Sequence, residues 1–137
     1  PEVGDVDLVV IRTEPVLGKA TLDDVLGPKW GWQKPKRKAD PPKAKKSGLW
    51  RGVQVDVNQI DEGGFGAMMC FCTGSAATNI AQRLEATRRG LLLNEKGVWR
   101  LTRDEAGAET ARERIAGKTE REVYEAIGLA YRAPEDR

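Results

Sequence analysis

The chain has 137 residues, 32% of them charged and 39% hydrophobic, with a formal net charge of +2, which fits one domain or two small lobes and excludes a large multidomain enzyme. It has no histidine, so Ser/His and Cys/His nucleophile pairs, HExxH zinc sites and imidazole proton shuttles are excluded. Cys70 and Cys72 provide neither a disulfide framework nor a zinc site. No apolar run nears the roughly 20 residues of a membrane span and the first residues lack the pattern of a secretory signal, so the expectation is an intracellular protein without a membrane partner.

Asp7-Leu8-Val9-Val10-Ile11 is rich in β-branched residues and predicts a buried strand opening at Val6. Asp5 and Asp7, two apart at its start, leave the same face. Thr21 is a candidate cap for a predicted short helix over Leu22–Leu26, with Gly27 and Pro28 as its expected stop. The segment Pro28–Gly52 then carries nine Lys and Arg (Lys29, Lys34, Lys36, Arg37, Lys38, Lys43, Lys45, Lys46, Arg51) against Asp40 alone, a charge of +8 that leaves the rest of the chain at −6. Its prolines and glycines predict an exposed, mobile loop. By itself such a run reads as a solvated loop, but a basic stretch set against an acidic body also suits a polyanion, with salt-dependent binding through Lys34, Lys36, Arg37, Lys38, Lys43, Lys45 and Lys46.

Val53–Asn58 alternates strictly, so the valines face a core while Gln54, Asp56 and Asn58 share the other face. Phe65–Cys72 is apolar throughout, and its periodicity does not choose between helix and strand. Ser75 caps a predicted helix in which Ile80 and Leu84 stand four apart, Asn79 and Arg83 make a polar pair on an exposed stripe, and Gly90 is the stop. Leu91–Leu93 and Val98–Leu101 flank Asn94–Gly97 as a hairpin. Thr119-Glu120-Arg121-Glu122 is a capping box that opens a helix through Ile127, ended by Gly128. These elements make an α+β protein in two lobes, one around Asp7 and Asp56, the other after Ser75.

If the strands of Asp7 and Asp56 pair, Asp5, Asp7 and Asp56 place three oxygen donors around one spot. Carboxylates that close repel one another unless a divalent cation compensates, and hard oxygen ligands favour Mg²⁺ or Mn²⁺. That is the ligand set of two-metal phosphoryl transfer. A D-x-D alone is more often a solvated strand end, and the alternation around Asp56 strengthens the functional reading moderately.

Gly4-Asp5-Val6-Asp7-Leu8, Val55-Asp56-Val57, Thr73-Gly74-Ser75 with Asn79 and Arg83 behind it, Leu93-Asn94-Glu95, and Ile115–Glu120 through Gly128-Leu129 and Pro134-Glu135 follow in an order and approximate spacing that resemble the polymerase beta-like X family of DNA polymerases. The resemblance covers nearly everything except residues 13–51. It implies a nucleotidyltransferase-type palm, a mixed sheet with helices taken from its catalytic strand onward (residues 1–72, containing the basic loop 28–52), followed by a small α+β thumb (73–137). The implied activity is addition of deoxynucleotides to a primer 3′-hydroxyl in gap filling or repair, with two Mg²⁺ or Mn²⁺ ions per active site. DNA and a deoxynucleoside triphosphate are the implied partners.

By that resemblance Asp5 and Asp7 hold both metals, and Asp56 ligates the catalytic one and assists deprotonation of the 3′-hydroxyl. Thr73-Gly74-Ser75 is the turn beside the nucleotide sugar, with Phe71 and Cys72 where the family has two aromatic-type residues. Cys72 departs from that pattern. Asn79 and Arg83 reach the nascent base pair and the template strand, and Phe65–Phe71 is helical. The family's Gly-Ser triphosphate cradle has no counterpart in Pro1–Gly4, and neither its lyase domain nor its helix-hairpin-helix elements are present. The expectations are weak nucleotide binding, no lyase activity, and a face of Val6, Leu8 and Val10 left uncovered and prone to self-association. The alternative reading is a DNA-binding palm-thumb fragment without polymerase activity. Either reading expects a cytoplasmic or nucleoid-associated protein.

Overall fold

Alternation builds the first sheet. Val53–Ile60 forms β3, the central strand, with β1 (Asp5–Ile11) parallel on one side and β2 (Lys45–Trp50) antiparallel on the other. The computed structural model describes residues 4–11 and 45–137, with Lys45 and Lys46 described by backbone alone. The helix expected at Leu22–Leu26 and the loop residues Lys34, Lys36, Arg37, Lys38 and Lys43 lie outside the described residues. Val55 and Val57 are buried on one face of β3, and Asp56, Asn58 and Ile60 are buried on the other. Both faces of the central strand are therefore covered. β1 forms where the sequence predicts a strand but is not buried as expected: Val9 alone is half-buried, and Val6, Leu8 and Val10 stay 38%, 45% and 38% exposed, the uncovered face that the family resemblance implies.

β2 corrects the expectation of a continuous loop over residues 28–52. Its backbone pairs with β3 from Lys45 opposite Asn58 to Trp50 opposite Val53, and Arg51 (φ 50°) and Gly52 (φ 85°) turn the chain between the two strands. A two-residue turn with both φ values positive matches the twist of the strands it joins, so it sets the register. The Arg51 guanidinium lies 4.9 Å from the Trp50 ring centroid.

The chain separates into two compact units, Pro1–Ile60 and Asp61–Arg137, whereas the sequence reading divides it after residue 72. The difference lies in α1 (Phe65–Thr73), which packs into the second unit's core. The Gly66 and Ala67 amides donate to the Lys118 and Gly117 carbonyls at 3.1 and 3.0 Å. A Cβ at Gly66 would stand 2.1 Å from the Thr119 carbonyl carbon, so only glycine permits this approach.

The remainder of the second unit is α2 (Ala76–Arg88), an antiparallel meander of β4 (Leu91–Asn94), β5 (Gly97–Arg103) and β6 (Glu109–Ala116), and α3 (Glu120–Ala126). Its core joins Ala67 and Cys70 of α1, Ala86 of α2, Leu93, Val98, and Val123, Tyr124 and Ile127 at α3. Ser75 caps α2 by accepting from the Thr78 amide at 3.1 Å. The capping box of α3 forms as expected, with Thr119 Oγ1 accepting from the Glu122 amide and the Glu122 carboxylate accepting from the Thr119 amide. No helix among the described residues is long and apolar enough to cross a membrane.

The burial of α2 differs from its sequence pattern. Ile80 and Leu84 are 60% and 54% exposed, while Gln82 and Ala86 face inward. Two residues is about 200° around a helix, so the apolar pair lies opposite the buried pair. Ala86, with no exposed surface, lets α2 approach the sheet closely. β6 was not foreseen either, because its alternation is carried largely by charges. It is held by cross-strand pairing in which Arg100 and Glu113 are register partners with an ion pair at 3.1 Å.

Asp61, at the start of the second unit, receives both guanidinium branches of Arg114, with Nη2 2.9 Å from Oδ2. This hydrogen bonding and the positive charge hold the Asp61 carboxyl below its ordinary value. A depressed folded-state pKa adds stability above the unfolded value of about 3.9, lost as pH falls through the folded value. Because the Asp61 side chain is 56% exposed, solvent screening keeps the contribution below about 1 kcal/mol. Asp61→Asn is expected to weaken the acid-side loss of stability below about pH 4 and to lower its sensitivity to salt. Urea unfolding at pH 3 to 7, with and without salt, checks this.

Candidate functional site

The parallel register places Asp7 level with Asp56 and Asp5 level with Gln54, and all four share one face of the sheet. Two of the expected acidic residues are thus neighbours on adjacent strands, and the third lies one pleat away. Asp56 is buried at 6% exposure, whereas Asp5 and Asp7 are exposed. The side chains are held by amides: Asn58 Nδ2 donates to Asp7 Oδ1 at 3.1 Å and Gln54 Nε2 to Asp56 Oδ1 at 3.4 Å. Among the described residues no three His, Cys, Asp or Glu side chains are gathered as a metal site. The residue types and the shared face fit a hard divalent cation, which needs the carboxylates turned together.

In the second unit the turn Thr73-Gly74-Ser75 joins α1 to α2. The Gly74 amide donates to the Cys70 carbonyl at 3.0 Å and closes α1, while Thr73 Oγ1 donates to the Met69 carbonyl at 2.7 Å. Asn79 reaches back to donate from Nδ2 to the Phe71 carbonyl at 3.0 Å. The Arg83 guanidinium lies 5.8 Å from the Phe71 ring centroid, a cation–π contact. Phe71, Asn79, Gln82, Arg83, Leu93 and Asn94 line a shallow cleft of about 10 Å³, the room of about one water molecule.

The expected residues Phe71, Thr73, Gly74, Ser75, Asn79 and Arg83 therefore gather around one turn. Cys72 is half-buried beside them. Cys70 faces the core, where burial pushes its thiol up to about 12, so it offers no thiolate near neutral pH. Arg137 received no role from the sequence. Its side chain is fully buried, and it donates from Nη1 to Thr73 Oγ1 at 2.7 Å and pairs with Glu120 at 2.8 Å. No local pattern marks it. Gln54 and Asn58 had a signal, the alternation that sets them on the face of Asp56.

Residues 68–137 match the family model of the DNA polymerase beta thumb. The chain belongs to that family. The matched stretch begins inside α1 and runs through α3, so the second unit is a polymerase beta-like thumb of the X family. Among solved structures, the chain resembles the crystal structure of Leishmania infantum polymerase beta, a ternary P/T complex, with a TM-score of 0.66 and 23% identity over 98% of this chain and 62% of that one. At that identity the likeness shows a shared α+β fold, and the chain spans less than two thirds of the length of the one it matches. No curated protein sequence matches it.

The thumb's turn has little spare room. A Cβ on Gly74 would meet the Cys70 carbonyl oxygen at 2.9 Å and Asn79 Oδ1 at 3.0 Å. Gly74→Ala is expected to lower stability by about 1 to 2 kcal/mol and to displace Asn79 from the Phe71 carbonyl. Denaturant unfolding measures the first effect, and the chemical shift of the Asn79 side-chain amide reports the second.

Proposed function

We propose that the chain is the catalytic-strand and thumb portion of a family X DNA polymerase, a nucleotidyltransferase that adds deoxynucleotides to a primer 3′-hydroxyl during gap filling or repair. The carrying observation is the register that sets Asp7 level with Asp56 on one face, with Asp5 one pleat away, in a chain whose other half is a polymerase beta-like thumb. Asp5 and Asp7 would hold two Mg²⁺ or Mn²⁺ ions, with Asp56 on the catalytic one. When bound, such ions neutralise charge developing on the transferred phosphoryl group and its leaving oxygen.

Asp56 would accept the proton of the primer 3′-hydroxyl as its oxygen attacks the α-phosphorus and pyrophosphate departs. Phe71, Cys72 and Thr73-Gly74-Ser75 would border the nucleotide's sugar. Asn79 would meet the nascent base pair and Arg83 the template strand, from the helix stripe they share. The seven Lys and Arg of residues 34–46 would bind DNA phosphates. A protein with these partners works in the cytoplasm or on the nucleoid. A second reading, a DNA-binding palm-thumb unit that does not polymerise, is favoured by the carboxylates being bound to amides rather than gathered.

Primer extension on gapped DNA with Mg²⁺ or Mn²⁺ separates the two readings. Extension by the unsubstituted chain that Asp56→Ala abolishes, with the variant still folded in a thermal melt, supports the polymerase reading. DNA binding without extension supports the second. Extension that survives in Asp56→Ala removes Asp56 from the chemistry.

A further inference from the structure

The two faces of the thumb sheet differ in character. Leu93, Val98 and Ala116 turn to the core. On the opposite face the register sets Leu92 beside Trp99, Trp99 beside Arg114 and Leu101 beside Arg112, and Arg103 follows two residues after Leu101. Leu92, Trp99 and Leu101 are only half-buried there. The Arg114 guanidinium lies 5.2 Å from the Trp99 ring centroid, a cation–π contact. Both partners are fixed from the side: Asn94 Oδ1 accepts from Trp99 Nε1 at 3.0 Å, and Asp61 takes both guanidinium branches of Arg114. The other two arginines are also engaged, Arg112 with Glu109 at 2.6 Å and Arg103 with the Gly107 carbonyl at 2.9 Å.

The occupied edges select the kind of partner. A guanidinium grips a carboxylate by presenting two donors at its edge, and on Arg114 that edge is already held by Asp61. What Trp99 and Arg114 still offer is flat surface, which takes another flat group by stacking. Unpaired bases present such faces, whereas a base inside a duplex has both of its faces covered by neighbours. Three arginines against Glu109 and Asp61 leave the face slightly basic, which suits a polyanion. We propose that this outer face of the thumb sheet binds single-stranded nucleic acid, with unpaired bases stacked on Trp99 and Arg114 and lying along Leu101. The inference rests on the DNA reading of the chain and adds a site to it. That site is across the sheet from α2, whose Ala86 packs on the core face, and so apart from Asn79 and Arg83. Because stacking rather than phosphate contact supplies the affinity here, losing Trp99 should weaken binding without altering its salt dependence.

The test uses the whole 137-residue chain and oligothymidine, a single strand that forms no duplex. The Trp99 indole N–H signal should shift with the same midpoint as binding. Trp99→Ala should weaken binding about tenfold, the worth of one stacked base, with the log–log salt slope unchanged, and Trp99→Phe should keep much of the affinity. Equal affinity in a folded Trp99→Ala variant overturns the proposal. If that variant does not fold, the unsubstituted chain decides: a Trp99 signal that stays in place while oligothymidine binds overturns it equally, and leaves the primer-extension test standing. A shift with an acidic peptide and none with oligothymidine assigns the face to a protein partner and also overturns it. Failure of both oligothymidine and gapped DNA to bind removes the DNA reading itself, and the inference with it.

Discussion

Asp7 and Asp56 stand at one level of two neighbouring parallel strands, where two negative charges face each other across a single strand spacing. Directly opposed like charges weaken strand pairing, and the surrounding residues respond to that constraint. Asn58 and Gln54 each take one carboxylate, and the buried valines on the opposite face of β3 secure the pairing that the charges oppose. The same register that strains the sheet presents oxygen ligands on one face. In the proposed reading, a divalent cation would relieve that repulsion and use those oxygens at once.

The thumb depends on close backbone approach rather than on charge. Gly66 lets α1 lie against the Thr119 backbone, and α1 then carries Phe71 and Thr73 to the turn where Gly74 makes room for Asn79. Arg137 secures the same turn through Thr73 Oγ1 while pairing with Glu120 at the start of α3. Helix ends, turn and C-terminal segment are thereby tied together beneath Asn79 and Arg83. Small residues at the contacts and a buried guanidinium give the stripe on α2 a rigid base.

Much of this was legible in the sequence where a local rule carries the structure. The alternation at Val53–Asn58, the Ser75 cap, the capping box at Thr119 and the Asn94–Gly97 hairpin each state their own geometry, and each is found. β2 was missed because Lys-Lys-Ser-Gly-Leu-Trp has no alternation and sits within a basic, proline-rich stretch, so its strand character comes from pairing with β3. β6 was missed because its alternation falls on Glu and Arg. On α2, the i, i+4 spacing of Ile80 and Leu84 marks a helix but not its inward face, which is carried by Gln82 and Ala86. The unit boundary moved to Ile60/Asp61 because the approach of Gly66 to Thr119 is a long-range contact with no local signature. At the carboxylates, sequence indicated a shared face, whereas the hydrogen bonds that part Asp7 from Asp56 required coordinates.

The central claim is that Asp5, Asp7 and Asp56 together bind divalent cations, and counting bound Mn²⁺ by electron paramagnetic resonance, with gapped DNA and deoxynucleoside triphosphate present, tests it most directly. DNA and nucleotide alone set the background. The account predicts two Mn²⁺ ions per chain above that background, and none above it when all three aspartates are alanine. Equal Mn²⁺ retention by the unsubstituted chain and the triple variant would contradict it.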